Sequence, residues 1–121
     1  SAKTIGRDIN SENKQLMLGH GFDHCWVLNN RDHFTKAATV YHPETGRMLE
    51  VSTNEPGLQF YSGNFLEETL PVGKGSYKPH CGFCLETQHF PDTPNQPEFP
   101  PVILKPGDIY SSKTTFAFSI K

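Results

Sequence analysis

Tyr110-Ser111-Ser112-Lys113-Thr114-Thr115-Phe116-Ala117-Phe118-Ser119-Ile120 alternates from its first residue to its last. In an extended chain Tyr110, Ser112, Thr114, Phe116, Phe118 and Ile120 share one face, and Ser111, Lys113, Thr115, Ala117 and Ser119 share the other. A period of two sustained over this length predicts a β-strand with one face in a core. The turn Lys105-Pro106-Gly107-Asp108 sets off its start.

The same reading extends upstream. Five prolines between Pro91 and Pro101 preclude a hydrogen-bonded ladder and predict an extended crossing. Phe83–Phe90 is the strand before it. Residues 63–80, rich in glycine and proline, read as a long surface loop, and loops of that length tend to be functional. Leu58–Ser62 follows the Pro56-Gly57 break as a strand. Phe34–Tyr41 and Met48–Thr53 form a β-hairpin closed by His42-Pro43-Glu44-Thr45-Gly46-Arg47. Phe22–Leu28 is a further strand, ended by Asn29-Asn30. Residues 1–19 are polar and read as a connecting segment, and no window shows helical periodicity. The expected class is therefore all-β and antiparallel, a sandwich or part of one, with residues 1–121 as a portion of a single domain.

The bulk properties narrow the function. A chain of 121 residues holds one domain at most. A free-standing domain of this size buries roughly 65–70% of its unfolded surface. Hydrophobic residues make up only 35%, which is lean for a self-sufficient core, although 12% are aromatic. A net charge of −2 supplies no attraction to nucleic acid or an anionic membrane. No apolar run reaches the ~20 residues of a membrane span. Three cysteines and the lack of an Asn-x-Ser/Thr site fit a reducing cytoplasm better than a disulfide scaffold. The first residues, Ser1-Ala2-Lys3-Thr4, carry no initiator Met and no signal-peptide core, and so suggest a processed or partial chain.

Two carboxylates stand out. Asp23 shares a strand face with Cys25 and Val27, and is expected to be a partly buried acceptor in need of donors. It suits either a structural hydrogen bond or a sugar hydroxyl. Glu86 lies mid-strand on the face of Cys84 and Gln88, where a carboxylate is unfavourable without a partner or a task. It reads as an exposed strand residue or as a general base, which needs partial burial to lift its pKa towards working pH. Gln59, between Leu58 and Phe60, offers donor and acceptor on one amide, suited to hydroxyl recognition or to a strand edge. Trp26, Phe60, Tyr61 and Phe65 are core candidates first and sugar-stacking candidates second.

Cys81-Gly82-Phe83-Cys84 invites a redox or zinc reading. A redox Cys-x-x-Cys works at a helix N-terminus, whereas a strand is expected here, with the two thiols facing opposite ways. Adding His80 and His89 completes four nominal ligands at a spacing that fits no common zinc finger. The six histidines make no hydrolytic metal motif, so no metal site is expected.

Three segments in order carry a resemblance: Gly21-Phe22-Asp23-His24; Glu55-Pro56-Gly57-Leu58-Gln59-Phe60-Tyr61 with Gly63-Asn64; and Glu86-Thr87-Gln88 ahead of Pro91-Asp92. With Leu104-Lys105-Pro106-Gly107 before the last strand, they resemble the C-terminal part of aldose 1-epimerases, the galactose mutarotases, over roughly residues 16–121. The resemblance implies a large antiparallel β-sandwich that binds hexoses such as galactose and glucose in an open cleft. It implies Glu86 as the base that takes the C1-hydroxyl proton, and Asp23 and Gln59 as the groups holding ring hydroxyls. It implies no cofactor, because proton transfer at two oxygens is the whole chemistry.

The family's general acid is a histidine, accompanied by a second histidine and an arginine, all upstream of the segment matched here. None of the six histidines in this sequence lies in such a context. The resemblance thus implies an N-terminal companion segment of the same protein, without which the chain is inactive and exposes strand edges. A carbohydrate-binding β-sandwich without catalysis is the alternative expectation.

Overall fold

The computed structural model describes residues 2–29, 33–66, 71–72 and 75–121. Two short helices, α1 (Ile5–Asp8) and α2 (Lys14–Gly19), precede the strands β1 (Asp23–Val27), β2 (Thr35–His42), β3 (Arg47–Thr53), β4 (Gly57–Tyr61), β5 (Pro71–Val72), β6 (Gly75–Ser76), β7 (Cys84–Gln88) and β8 (Thr114–Ile120). The class is all-β and antiparallel, as the alternation predicts. One sheet has the order β1-β4-β7, a second the order β2-β3-β8, and β5 pairs with β6 in a two-stranded ribbon.

By compactness the chain divides into two units, residues 1–24 with 59–86 and residues 25–58 with 87–121. The second unit contains the whole β2-β3-β8 sheet. Its hairpin pairs Val40 with Leu49 and Tyr41 with Met48, and slips once between Lys36 and Ala38. Gly46 closes the hairpin at φ +68°, where a Cβ would stand 2.7 Å from the Lys121 carbonyl. On the far side of β3, Leu49 faces Phe118 and Val51 faces Phe116. Val51 and Leu58 are the buried hydrophobic side chains among the described residues, a small core that matches the lean composition.

β8 has a partner on one side only among the described residues, and its apolar face is bare at the far end. Phe118 is 79% exposed and Ile120 82%. An exposed strand edge and apolar face of this kind are open to pairing and packing by a further segment.

Three sequence expectations are corrected here. Residues 1–19 are not purely connecting: α2 forms because Asn13 caps it, accepting from the Gln15 N–H at 2.9 Å. Six residues are too few for a 3.6-residue period to show. The last strand begins at Thr114 rather than Tyr110. Its expected first residues are diverted: Tyr110 donates to Glu55, and the Lys113 N–H donates to Asn54 Oδ1 at 2.7 Å. The loop over 63–80 contains the β5–β6 ribbon; its residues 67–70 and 73–74, like Asn30 in the turn after β1, lie outside the described residues.

Candidate active site

The three side chains singled out from sequence all belong to the first unit. α2 ends with His20 in the left-handed region at φ 54°, and the His20 and Gly21 N–H groups close back on Met17 and Leu16. Gly21, at φ +135°, then turns the chain so that Phe22 enters the sheet and Asp23 opens β1. Phe22 and Ser62 share a backbone hydrogen bond of 2.9 Å from the Ser62 N–H to the Phe22 carbonyl. That bond fixes the register of β1 against β4.

Within this register Gln59 reaches Asp23. Its Nε2 donates to Asp23 Oδ1 at 2.7 Å. β7 is the other neighbour of β4. A Cβ on Gly63 would stand 2.5 Å from the Gly82 carbonyl. That contact draws the chain entering β7 close to the chain leaving β4. Gln59 thus sits on the central strand, bonded to Asp23 from β1, with Glu86 on the neighbouring strand β7.

The opposite face of this part of the sheet is apolar. Phe22 packs on Phe60 with ring centroids 5.3 Å apart, and Phe60 on Phe83 at 6.3 Å. Phe60 is therefore a packing residue. Tyr61, on the face of Gln59, stacks on Phe65 at 6.5 Å and accepts its N–H at 2.9 Å. Phe65 in turn meets the edge of His20 at 5.6 Å. Trp26, in the second unit, is more than half exposed.

Burial of the carboxylates differs from the expectation. Asp23 and Glu86 are both exposed, because nothing among the described residues covers the polar face. Asp23 does have the donor it was expected to need. The buried carboxylate is instead Glu55, in the second unit, 4% exposed. Its Oε1 accepts from the Tyr110 hydroxyl. His89 Nδ1 lies 2.9 Å from Oε2. Burial pushes the Glu55 carboxyl upward, but hydrogen bonds from Ser112 and Tyr110, with the charge and hydrogen bond of His89, bring it below its ordinary value. Sequence reading missed Glu55 because its partners lie 34 and 55 residues away.

The histidines and cysteines go separate ways. His80 Nδ1 is 3.0 Å from the Ser62 carbonyl, and His89 is held at Glu55. Cys25, Cys81 and Cys84 are free thiols. Cys84 opens a strand and not a helix. No three His, Cys, Asp or Glu side chains gather into a metal-binding group among the described residues.

A family model described as aldose 1-epimerase matches residues 1–117. The chain belongs to the aldose 1-epimerase family. It is 51% identical over 102 residues to the galactose mutarotase of Rattus norvegicus, covering 84% of this chain and 30% of the relative. The galactose mutarotase of Bos taurus is 52% identical over the same shares. The aldose 1-epimerase of Escherichia coli is 39% identical over 121 residues, covering 98% of this chain and 35% of the relative. The chain thus spans about a third of the length of the curated relatives it matches. Among the described residues no helix is long and apolar enough to cross a membrane.

Proposed function

We propose that these residues supply the base and two sugar-holding groups of an aldose 1-epimerase acting on hexoses such as galactose and glucose. The observation that carries the reading is the row across the sheet. Asp23 on β1 is bonded to Gln59 on the central strand β4, and Glu86 lies on the adjoining strand β7, in a chain of this family. An acidic acceptor beside an amide with both donor and acceptor atoms matches adjacent ring hydroxyls, each of which donates one bond and accepts others.

In the proposed reaction Glu86 removes the proton of the C1 hydroxyl. The O1 electrons form the C1 carbonyl as the bond from C1 to the ring oxygen breaks, and an acid protonates that oxygen. Rotation about C1–C2 and the reverse sequence return the other anomer, and no cofactor enters the balance. Positioned acid and base groups contribute typically ~10²–10⁴-fold each, so both are needed for useful turnover.

The acid, a histidine, comes in this reading from an N-terminal companion segment of the same protein. The same segment covers the polar face around Asp23 and Glu86 and the apolar end of β8, where Phe118 and Ile120 are bare. Cover over Glu86 also supplies the low-dielectric setting that a base requires. The free thiols suit a cytoplasmic setting.

Polarimetry on freshly dissolved α-galactose tests this reading with the complete protein and with residues 1–121 alone. The expected result is fast mutarotation by the complete protein and the solvent rate with the isolated chain. A complete protein that binds galactose yet leaves the solvent rate unchanged would be a carbohydrate-binding module, and would overturn the enzymatic reading.

A further inference from the structure

We infer that Asn64, together with Ser62, is a positioning residue for Asp23, fixing the backbone that presents this carboxylate to a sugar; the inference rests on the sugar-holding role proposed for Asp23. Both side chains lie just beyond β4, and both are buried, Ser62 3% and Asn64 6% exposed. Buried polar groups are costly unless every donor and acceptor is used. Here they are used on one target, the turn Gly19-His20-Gly21-Phe22.

Asn64 Nδ2 donates to the Gly19 carbonyl at 2.6 Å and to the Phe22 carbonyl at 3.0 Å. Its Oδ1 accepts from the Ser62 hydroxyl. Ser62 Oγ accepts the Phe22 N–H at 2.9 Å. Two carbonyls facing one end of the Asn64 amide and a hydroxyl facing the other fix the amide's orientation. The pair therefore pins both ends of the His20-Gly21 turn, and at Phe22 holds the N–H and the C=O together.

The consequence reaches Asp23 through the peptide plane. The Phe22 carbonyl and the Asp23 Cα lie in one rigid unit, so fixing that carbonyl fixes where the Asp23 side chain departs. Asp23 is itself exposed, and its carboxylate accepts a hydrogen bond from Gln59. Its position therefore depends on its backbone together with the bond from Gln59. Gly21 completes the device: a Cβ there would stand 2.5 Å from Asn64 Oδ1 and 2.8 Å from Ser62 Oγ. Only a glycine lets the two side chains close over the turn.

The test is a double-mutant cycle in the complete enzyme, reading the galactose dissociation constant by NMR titration and the melting temperature separately. Asp23→Ala alone tests the sugar-holding role. Asn64→Ala alone is expected to weaken galactose binding roughly tenfold, on the scale of the losses a misplaced group causes. The combined variant is expected to bind no more weakly than Asp23→Ala, since Asn64 then has nothing left to position. Ser62→Ala, which removes only a hydroxyl, carries the same cycle if Asn64→Ala does not fold. An Asn64 variant that melts earlier but binds galactose normally would overturn the inference, as would losses that multiply in the combined variant. Unchanged binding in Asp23→Ala would remove the proposed role of Asp23 itself, and this inference with it.

Discussion

Gln59 donates from its side-chain amide to the Asp23 carboxylate at 2.7 Å, across two neighbouring strands and 36 residues of sequence. The bond orients both groups before any ligand arrives. An exposed neutral-to-charged hydrogen bond of this kind adds little to stability, on the order of 1 kcal/mol, while preorganisation lowers the cost of binding. Gln59→Ala in the complete protein should therefore leave the melting temperature nearly unchanged and weaken galactose binding several-fold. Titration calorimetry beside a thermal melt checks both; a large fall in melting temperature with unchanged affinity would make the pair structural.

The Glu55 cluster makes stability depend on acid. Its folded-state pKa is depressed relative to the unfolded chain, despite the upward push of burial, by Ser112, Tyr110 and His89. A depressed carboxylate contributes stability that is fully present above the unfolded pKa and is lost as pH falls through the folded one. Tyr110→Phe removes one of the stabilising donors and raises that folded pKa. The acid limb of melting temperature against pH should then move to higher pH, with a loss of about 1–3 kcal/mol at neutral pH. An unmoved acid limb would contradict this assignment.

The thiols should react in order of exposure. Burial raises the Cys25 pKa, an effect that hydrogen bonds from Gln88 and the Leu58 backbone only partly offset. Cys81 and Cys84 are exposed. Because the thiolate is the reacting species, iodoacetamide at neutral pH should label Cys81 and Cys84 before Cys25, as peptide mass mapping will show. Equal labelling at Cys25 would contradict the partial burial of that thiol.

The bare end of β8 should make residues 1–121 self-associate in isolation. Phe118 and Ile120 lie on the open face of a strand with a partner on one side only among the described residues. Phe118→Lys should reduce concentration-dependent association in sedimentation velocity, with melting temperature changed little because the side chain packs on little. Association that persists unchanged would place the sticky surface elsewhere.

Strands were legible in the sequence wherever neighbouring side chains alternate. The hairpin strands Thr35–His42 and Arg47–Thr53 fall within one residue of their expected bounds, and the last strand ends at Ile120 as expected but begins four residues late. Alternation misled at Tyr110–Lys113, whose side chains and backbone are taken up by Glu55 and Asn54 at separations of 55 and 59 residues. No local pattern encodes such pairs. α2 was signalled only by Asn13 ahead of it and Gly19 at its end, and is too short to show a period. At the site, Asp23 and Gln59 were each legible as polar residues in strand-like surroundings, while the bond between them was not. Asn64 stood out only as part of the resemblance, and its bonds and those of Ser62 to the turn at Gly21 had no signal in the sequence.

The most direct measurement is the mutarotation rate of Glu86→Gln in the complete protein, followed by polarimetry on fresh α-galactose with binding measured in parallel by NMR. Glutamine keeps the size and hydrogen-bonding shape of the side chain but cannot take the C1-hydroxyl proton. The account predicts an unchanged melting temperature, retained galactose binding and a rate lower by at least ~10²-fold. A variant that turns over galactose at the normal rate would contradict the assignment of Glu86 as the base.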